Sequence, residues 1–317
     1  MSEKLLEVKN LLKYYTVPQG TLHAVDGVSF SINKGETLGL VGESGCGKST
    51  IGRTILRLIP HTGGEVLYNG EDILKYNPTQ MRELRKEMQI IFQDPYSCLD
   101  PRKTISQIIA EPLIVNKMCK RSELNEVVIE LMHKGGVSPK LYNAYPHELD
   151  GGRRQRVGII RALAMNSQFI VCDEPVSSLD VSIQAQILNL LQDLQENMGL
   201  TYLFISHDLS VVRHISNRVA VMYLGKLVET CPSHELFRNP THPYTRALLS
   251  AVPIAKYNYQ KKEKILLKGD VPSPVNPKPG CRFAGRCWMA KDICHQQEPP
   301  LKEIGSDHFV ACHMIDK

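Results

Sequence analysis

Residues Gly42-Glu43-Ser44-Gly45-Cys46-Gly47-Lys48-Ser49-Thr50 carry the spacing G-x-x-x-x-G-K-[ST], and that spacing suits a loop that wraps a phosphate. Its glycines allow backbone N–H groups to point inward around a β-phosphate. Lys48 adds a mobile charge for β- and γ-phosphates, and Ser49 offers a hydroxyl to Mg²⁺. A second pattern, Phe169-Ile170-Val171-Cys172-Asp173-Glu174, is an apolar run ending in two carboxylates. Asp173 is placed to hold the metal, and Glu174 to polarise an attacking water. Phosphoryl transfer asks for charge neutralisation, metal bridging and an oriented water more than for covalent chemistry, so these two segments supply its main parts.

A second chemical constellation lies near the C-terminus, where Cys281, Cys287, Cys294 and Cys312 are spaced C-x5-C-x6-C-x17-C. Four cysteines in a segment too short to build its own core suggest a metal staple. Structural zinc normally starts from a C-x2-4-C knuckle, which is absent, whereas iron–sulfur clusters tolerate wider spacing. Reduced, unliganded thiols are the third reading. His295, His308 and His313 lie nearby and read as solvated or structural. The other five cysteines, Cys46, Cys98, Cys119, Cys172 and Cys231, are scattered and read as small buried or loop residues. Nine cysteines in a chain of this type argue against a disulfide framework.

The elements that must position these residues follow from periodicity. The apolar run Thr37–Val41 reads as a buried strand entering the phosphate loop, with a helix over Ile51–Leu58 leaving it. Residues 1 to about 35 alternate apolar and polar positions, as antiparallel strands do, with Ala24–Asn33 turning at Lys34-Gly35. From Tyr76 to about Leu163 the spacing becomes helical, over Met81–Met88, Glu123–Lys134 and Val157–Leu163. Val181–Asn197 places Ile183, Ile187, Leu190, Leu191 and Leu194 on one face of a long helix, and Thr201–Ser206 and Arg218–Tyr223 are short apolar strands. This alternation argues for an α/β fold with a largely parallel sheet and ligand at the strand ends. Past Ala251 the composition shifts. Lys256–Lys264 is polar, and residues 271–280 are a stiff proline-rich connector expected to separate the cysteine tail from the nucleotide core.

With 317 residues, 42% of them hydrophobic, the chain is expected to build one large and one small domain. A net charge of +5, dispersed among acidic residues, reads as a solvated surface rather than a nucleic-acid site. No run approaches the 18 to 20 or so apolar residues that cross a bilayer, and Met1-Ser2-Glu3-Lys4 leads into no signal-peptide core, so a cytosolic location is expected.

Six elements in fixed order carry a family resemblance: the phosphate loop, Gln93 in Ile90-Ile91-Phe92-Gln93-Asp94-Pro95, Leu149-Asp150-Gly151-Gly152-Arg153-Arg154-Gln155-Arg156, Asp173-Glu174, Ser178-Leu179-Asp180, and His207 in Ile205-Ser206-His207-Asp208. The chain resembles an ABC-transporter ATPase subunit. Through Asn239-Pro240-Thr241-His242-Pro243-Tyr244-Thr245 and the cysteines after the proline run, it is similar to ATP-binding subunits of bacterial dipeptide and oligopeptide importers. The resemblance implies an ABC-type nucleotide-binding domain over 1–252, made of a RecA-like parallel-sheet core, an antiparallel β subdomain and an inserted helical subdomain at about 94–165. A proline linker and Cys-rich metal-binding extension over 253–317 would follow. It also implies ATP with Mg²⁺ held by Ser49, Gln93 and Asp173, Glu174 as general base, His207 at the γ-phosphate, Tyr15 stacked on adenine, and a [4Fe–4S] cluster on the four cysteines, with zinc as the alternative.

In this family two ATPase subunits pair head to tail, each nucleotide lying between one subunit's phosphate loop and the other's signature, with Asp180 in the coupling loop. The usual signature is Leu-Ser-Gly-Gly-Gln, and here Asp150 and Arg153 replace the serine and glutamine. A carboxylate about 4 Å from a phosphate repels it by on the order of 4 kcal/mol at an effective dielectric near 20. The substitution therefore implies a heterodimer with one degenerate site. The partners implied are a second ATPase subunit, two transmembrane permeases and, indirectly, an extracytoplasmic binding protein, with the chain peripheral on the cytoplasmic face. The alternatives are an importer for nickel or another small solute, and a soluble non-transport ABC ATPase.

Overall fold

The computed structural model describes residues 3–94, 96–252 and 264–315. Most of the polar stretch expected over Lys256–Lys264 lies outside them. The chain forms two compact units, one of Met1–Asn33, Thr37–Lys75 and Ser206–Lys317, the other of Lys34–Glu36 and Tyr76–Ile205. These boundaries fall elsewhere than at residue 252.

The first unit holds two sheets. In one, strands Gly20–Asn33, Lys4–Val17, Gly63–Tyr68 and Glu71–Asp72 lie side by side in that order, all antiparallel. Leu6, Leu11, Val25, Val28 and Ile32 are completely buried on its inner face, as the alternation requires. In the other, Thr37–Val41 runs parallel to Arg218–Tyr223, with Leu38 opposite Arg218 and Val41 opposite Val221. Every residue of Thr37–Val41 is buried, the pattern of a strand covered on both faces. Antiparallel neighbours Lys226–Pro232, His308–Val310 and Lys302–Gly305 then extend that sheet, so it is mixed rather than largely parallel.

Those last two strands belong to the tail, which corrects the expectation that the proline run holds it apart. The run instead lies along the Gly20–Asn33 strand. His23 N donates to Pro274 O (3.0 Å), Asn276 N to Thr21 O (2.9 Å), and Asn276 Nδ2 to Gln19 O (3.1 Å). Proline lacks an N–H, but its carbonyl still accepts, and proline is tolerated at such edges.

The second unit holds three parallel strands, Met88–Ile91, Phe169–Asp173 and Thr201–Ile205, with helices Pro78–Glu87, Ile105–Val115, Leu124–Lys134, Gly151–Leu163 and Val181–Met198. The helix expected over Met81–Met88 starts earlier and stops before Met88, which opens a strand. Asn77 starts it with a capping box to Gln80 and Pro78 at its first position. The sequence reading missed Ile105–Val115, whose helical spacing of Ile105, Ile108, Ile109 and Leu113 is interrupted by Pro112 inside the helix. Its signal was the Thr104/Gln107 capping box.

Candidate active site

The buried strand Thr37–Val41 delivers the chain into the phosphate loop. Gly47 sits at φ +105° with Ala24 O only 2.1 Å from where a Cβ would be, so no other residue fits there. It is followed by the helix Lys48–Ile55, which has no side-chain cap and no acidic residue in its first turn. A helix start of this kind, with the dipole behind it, suits an anion. Lys48 is 5% exposed, its Nζ donating to Gly42 O (2.8 Å) and Glu43 O (3.0 Å). Ser44 and Gly45 are exposed, Cys46 is buried, and Ser49 and Thr50 are half-buried behind the loop.

The two adjacent tyrosines differ in what already occupies them. Tyr14 stacks on His23 with ring centroids 4.0 Å apart and donates its hydroxyl to Asp26 Oδ1 at 2.6 Å. Burial and Asp26 together push that hydroxyl up to about 12. Tyr15 is 37% exposed with Lys13 Nζ 4.4 Å from its ring centroid, so it has a face to offer a base. His207, in the same unit, is exposed, between Ser206, whose N donates to Leu40 O (3.2 Å), and Asp208, which caps the helix Leu209–Ile215.

In the second unit, Asp173 closes its strand with 2% exposure. Glu174 follows at φ +50°, an uncommon conformation for a side chain of this size, fixed by its N–H donating to Ile205 O (3.0 Å). Gln93 Nε2 donates to Glu174 Oε2 at 3.0 Å, which brings together two residues 81 positions apart. That bond fixes one carboxylate oxygen of Glu174. The segment after Gln93 is gripped by the signature helix Gly151–Leu163: Arg154 lies over the Tyr96 ring at 3.8 Å, and Arg161 donates to Cys98 O.

At the start of that helix Asp150 is the N-cap. Its Oδ1 accepts from Arg153 N at 2.7 Å, while Arg153 Nε stands 3.4 Å from Oδ2. Leu149 is buried beside it, and Gly151 lies close to Leu179. A Cβ on Gly152 would come 2.6 Å from Ile183 Cγ2, so glycine there lets two helices approach. Asp180 is exposed at the N-cap of Val181–Met198, using its carbonyl rather than its side chain as acceptor.

The tail is built onto the phosphate-loop unit. Phe283, 1% exposed, packs its ring against Tyr223, Tyr244 and His242, at centroid distances of 5.2, 5.4 and 5.8 Å. Arg282 pairs with Asp26, which Lys226 also reaches at 3.4 Å. Burial opposes ionisation of Asp26, but the Tyr14 hydrogen bond and these cations hold its carboxyl down to about 2. Arg286 donates from Nη1 to both carboxylate oxygens of Glu43, at 3.1 and 3.0 Å. Sequence reasoning gave no role at the site to Tyr244 and Arg286, because no local pattern links them to Glu43, over two hundred positions away.

Burial first, and then the neighbouring thiols, Cys294 among them, raise the pKa values of Cys281, Cys287 and Cys312, that of Cys281 up to about 11, so the four cysteines converge. Three of them share one local turn, in which the N–H two residues on donates to the sulfur: Phe283 to Cys281, Met289 to Cys287 and Met314 to Cys312, the last two at 3.4 Å. Among the described residues, the one set of three or more metal-type ligands within 4.8 Å of one another is Glu229, Cys231 and His308. There Glu229 is already engaged by Thr241 N, His242 N and His308 Nε2 at 2.9, 3.0 and 2.8 Å.

The ABC transporter family matches residues 25–177, and the family described as oligopeptide/dipeptide transporter, C-terminal region, matches residues 228–294. The oligopeptide transport ATP-binding protein AppF of Bacillus subtilis is 54% identical, the alignment covering 98% of each chain. The dipeptide transport ATP-binding protein DppF of Escherichia coli is 46% identical over 100% of this chain and 96% of its own. Among solved structures, a dimeric ATP-binding cassette in a post-hydrolysis state with ADP and Pi superposes with a TM-score of 0.65 at 28% identity, over 72% of this chain and 98% of that one.

Proposed function

Because the chain belongs to the ABC-transporter ATP-binding family and is an ATPase, we propose that it energises a membrane importer of di- and oligopeptides as one half of a heterodimeric ATPase pair. The observation that carries the peptide assignment is the match of residues 228–294 to the oligopeptide/dipeptide transporter C-terminal region. Residues 1–252 supply the ATPase functions, with the helical part at about 94–165, and residues 253–317 form a metal-binding extension.

In this reading ATP stacks its base on Tyr15 and lays its phosphates on the amides of Gly42–Thr50, where Lys48 neutralises their charge. Ser49, Asp173 and Gln93 would hold Mg²⁺, a hard cation that takes oxygen donors and would neutralise phosphate charge. Glu174, held by Gln93, takes the proton from the attacking water, and His207 contacts the γ-phosphate. Asp150 and Arg153, with Leu149, Gly151, Gly152 and Asp180, face the partner ATPase subunit.

Two transmembrane permeases complete the machine. The groove between Ile105–Val115 and Leu124–Lys134, where Ile114 and Val115 are 60% and 58% exposed, suits a short permease helix. No helix among the described residues is long and apolar enough to cross a membrane. In the proposed importer the chain works peripherally at the cytoplasmic face, with a binding protein delivering substrate outside.

The four tail thiols suit a [4Fe–4S] cluster better than zinc. A tetrahedral zinc with bonds of about 2.3 Å holds its sulfurs about 3.8 Å apart. No three of these thiols lie within 4.8 Å of one another, though they converge. A cluster, whose thiolates sit on separate irons, takes the wider set, and the N–H···S turns are suited to stabilise it.

The assembled transporter in proteoliposomes tests the substrate assignment. Binding protein loaded with di- or oligopeptides should stimulate ATP hydrolysis and drive peptide uptake. Stimulation by nickel or another small solute alone would overturn it.

A further inference from the structure

Glu43 is the second residue of the phosphate loop, and all of its polar groups are held from outside it or by the loop's own lysine. Its N–H donates to Tyr244 Oη (2.9 Å), and its carbonyl accepts from Lys48 Nζ (3.0 Å) and Cys46 N (3.3 Å). Its carboxylate takes both contacts from Arg286 Nη1, which also donates to Tyr223 Oη at 3.4 Å. Tyr244 is fully buried, and the Arg286 side chain is 11% exposed. The grip is thus built, not a chance surface pair. Arg286 stands between Phe283, anchored among the rings of Tyr223 and Tyr244, and Cys287 of the metal-type turn.

A carboxylate within a loop that binds a triphosphate is an electrostatic liability. Unneutralised, it repels the same anion that the loop amides and Lys48 attract, through a partly buried region where screening is weak. A guanidinium fixed against it removes that repulsion and also restricts the side chain, so the loop amides stay aligned. We propose that Arg286 of the cysteine tail is a positioning and charge-neutralising residue of the ATP site, acting through Glu43, with Tyr244 fixing the amide of the same residue. The tail is therefore a working part of the phosphate loop. This rests on the ATPase activity and not on the identity of any metal in the tail.

The test is MgATP binding to the full-length chain, measured with a fluorescent ATP analogue and competition by ATP and ADP. Arg286→Ala should weaken ATP binding by about tenfold, and ADP, with one fewer charge, by less. Glu43→Gln alone should bind ATP a few-fold more tightly than the parent, since a cation then faces the loop unopposed. The double variant Glu43→Gln/Arg286→Ala should recover most of the loss, which a general folding defect would not. In the assembled transporter the Arg286→Ala loss should fall on KM for ATP more than on kcat. Arg286→Ala within twofold of the parent, or a double variant as weak as the single, would overturn the proposal. If Arg286→Ala does not fold, Glu43→Gln still decides, because weaker ATP binding by that variant contradicts the charge argument.

Discussion

At the scale of single residues, the site separates binding from bond-breaking. In the proposed site Lys48 and the loop amides hold phosphate, whereas Glu174, the proposed base, is fixed by Gln93 at 3.0 Å and by a left-handed backbone. In the assembled transporter, Glu174→Gln is expected to lower hydrolysis by at least about 100-fold, the usual worth of a general base, while trapping ATP. Lys48→Ala should instead raise the nucleotide Kd. Turnover by Glu174→Gln within a few-fold of the parent would rule out its role as base. His242 gives a second residue-scale outcome. It is 1% exposed, its Nδ1 accepts from Tyr244 N (3.1 Å), and burial pushes its ionisation down to about 4, against the pull of Glu229. Its folded pKa is lowered, so the unfolded chain binds the proton first. The stability it contributes is fully present above about pH 6.5 and lost progressively as pH falls toward 4, on the order of 3 kcal/mol in all. Denaturant titrations between pH 7 and 5 should show that slope, and His242→Asn, which keeps a cap acceptor, should flatten it. An unchanged slope would contradict the assignment.

At the scale of elements, the tail is a pair of strands on the mixed sheet, a ring wedged into the nucleotide unit and a cluster of thiols on N–H···S turns. Protein purified without oxygen is expected to be brown, with iron and sulfide in nearly equal amounts, and Cys287→Ser or Cys294→Ser should bleach it. One zinc and no iron would sink the cluster. Because the tail packs on the phosphate-loop unit rather than hanging from a linker, stripping the metal should lower the stability of the nucleotide core too. The signature helix shows how one residue serves two purposes at element scale. Asp150 caps it with a 2.7 Å bond, worth about 1 kcal/mol, so the helix loses nothing by lacking the family's serine.

At the scale of the whole molecule, that same Asp150 bears on the partner. Its pairing with Arg153 Nε at 3.4 Å is between groups 60% and 57% exposed, so it offsets a facing phosphate's repulsion only weakly. In the proposed heterodimer the two composite sites are expected to be unequal, with nearly all hydrolysis passing through Lys48 and Glu174 of this chain. Asp150→Ser with Arg153→Gln should raise activity at the second site and make the partner's own glutamate newly important. Trapped-nucleotide counts for each base variant check this. Equal losses on disabling either subunit would show that Asp150 serves as a cap and nothing more.

The sequence by itself determined what consecutive residues can encode: the phosphate loop with its entering strand Thr37–Val41, the carboxylate-ended strand Phe169–Asp173 and the long helix from Val181. Each is written in spacing or periodicity within about a dozen positions, and fixed loop chemistry keeps it local. Only the tertiary structure decided the fate of the tail. Arg286 meets Glu43 across 243 positions, Asn276 meets Thr21 across 255, and Phe283 closes a ring cluster drawn from three segments. Such contacts are selected by where buried rings and unpaired charges find complements in the packed chain, and that selection leaves no period along the sequence to read.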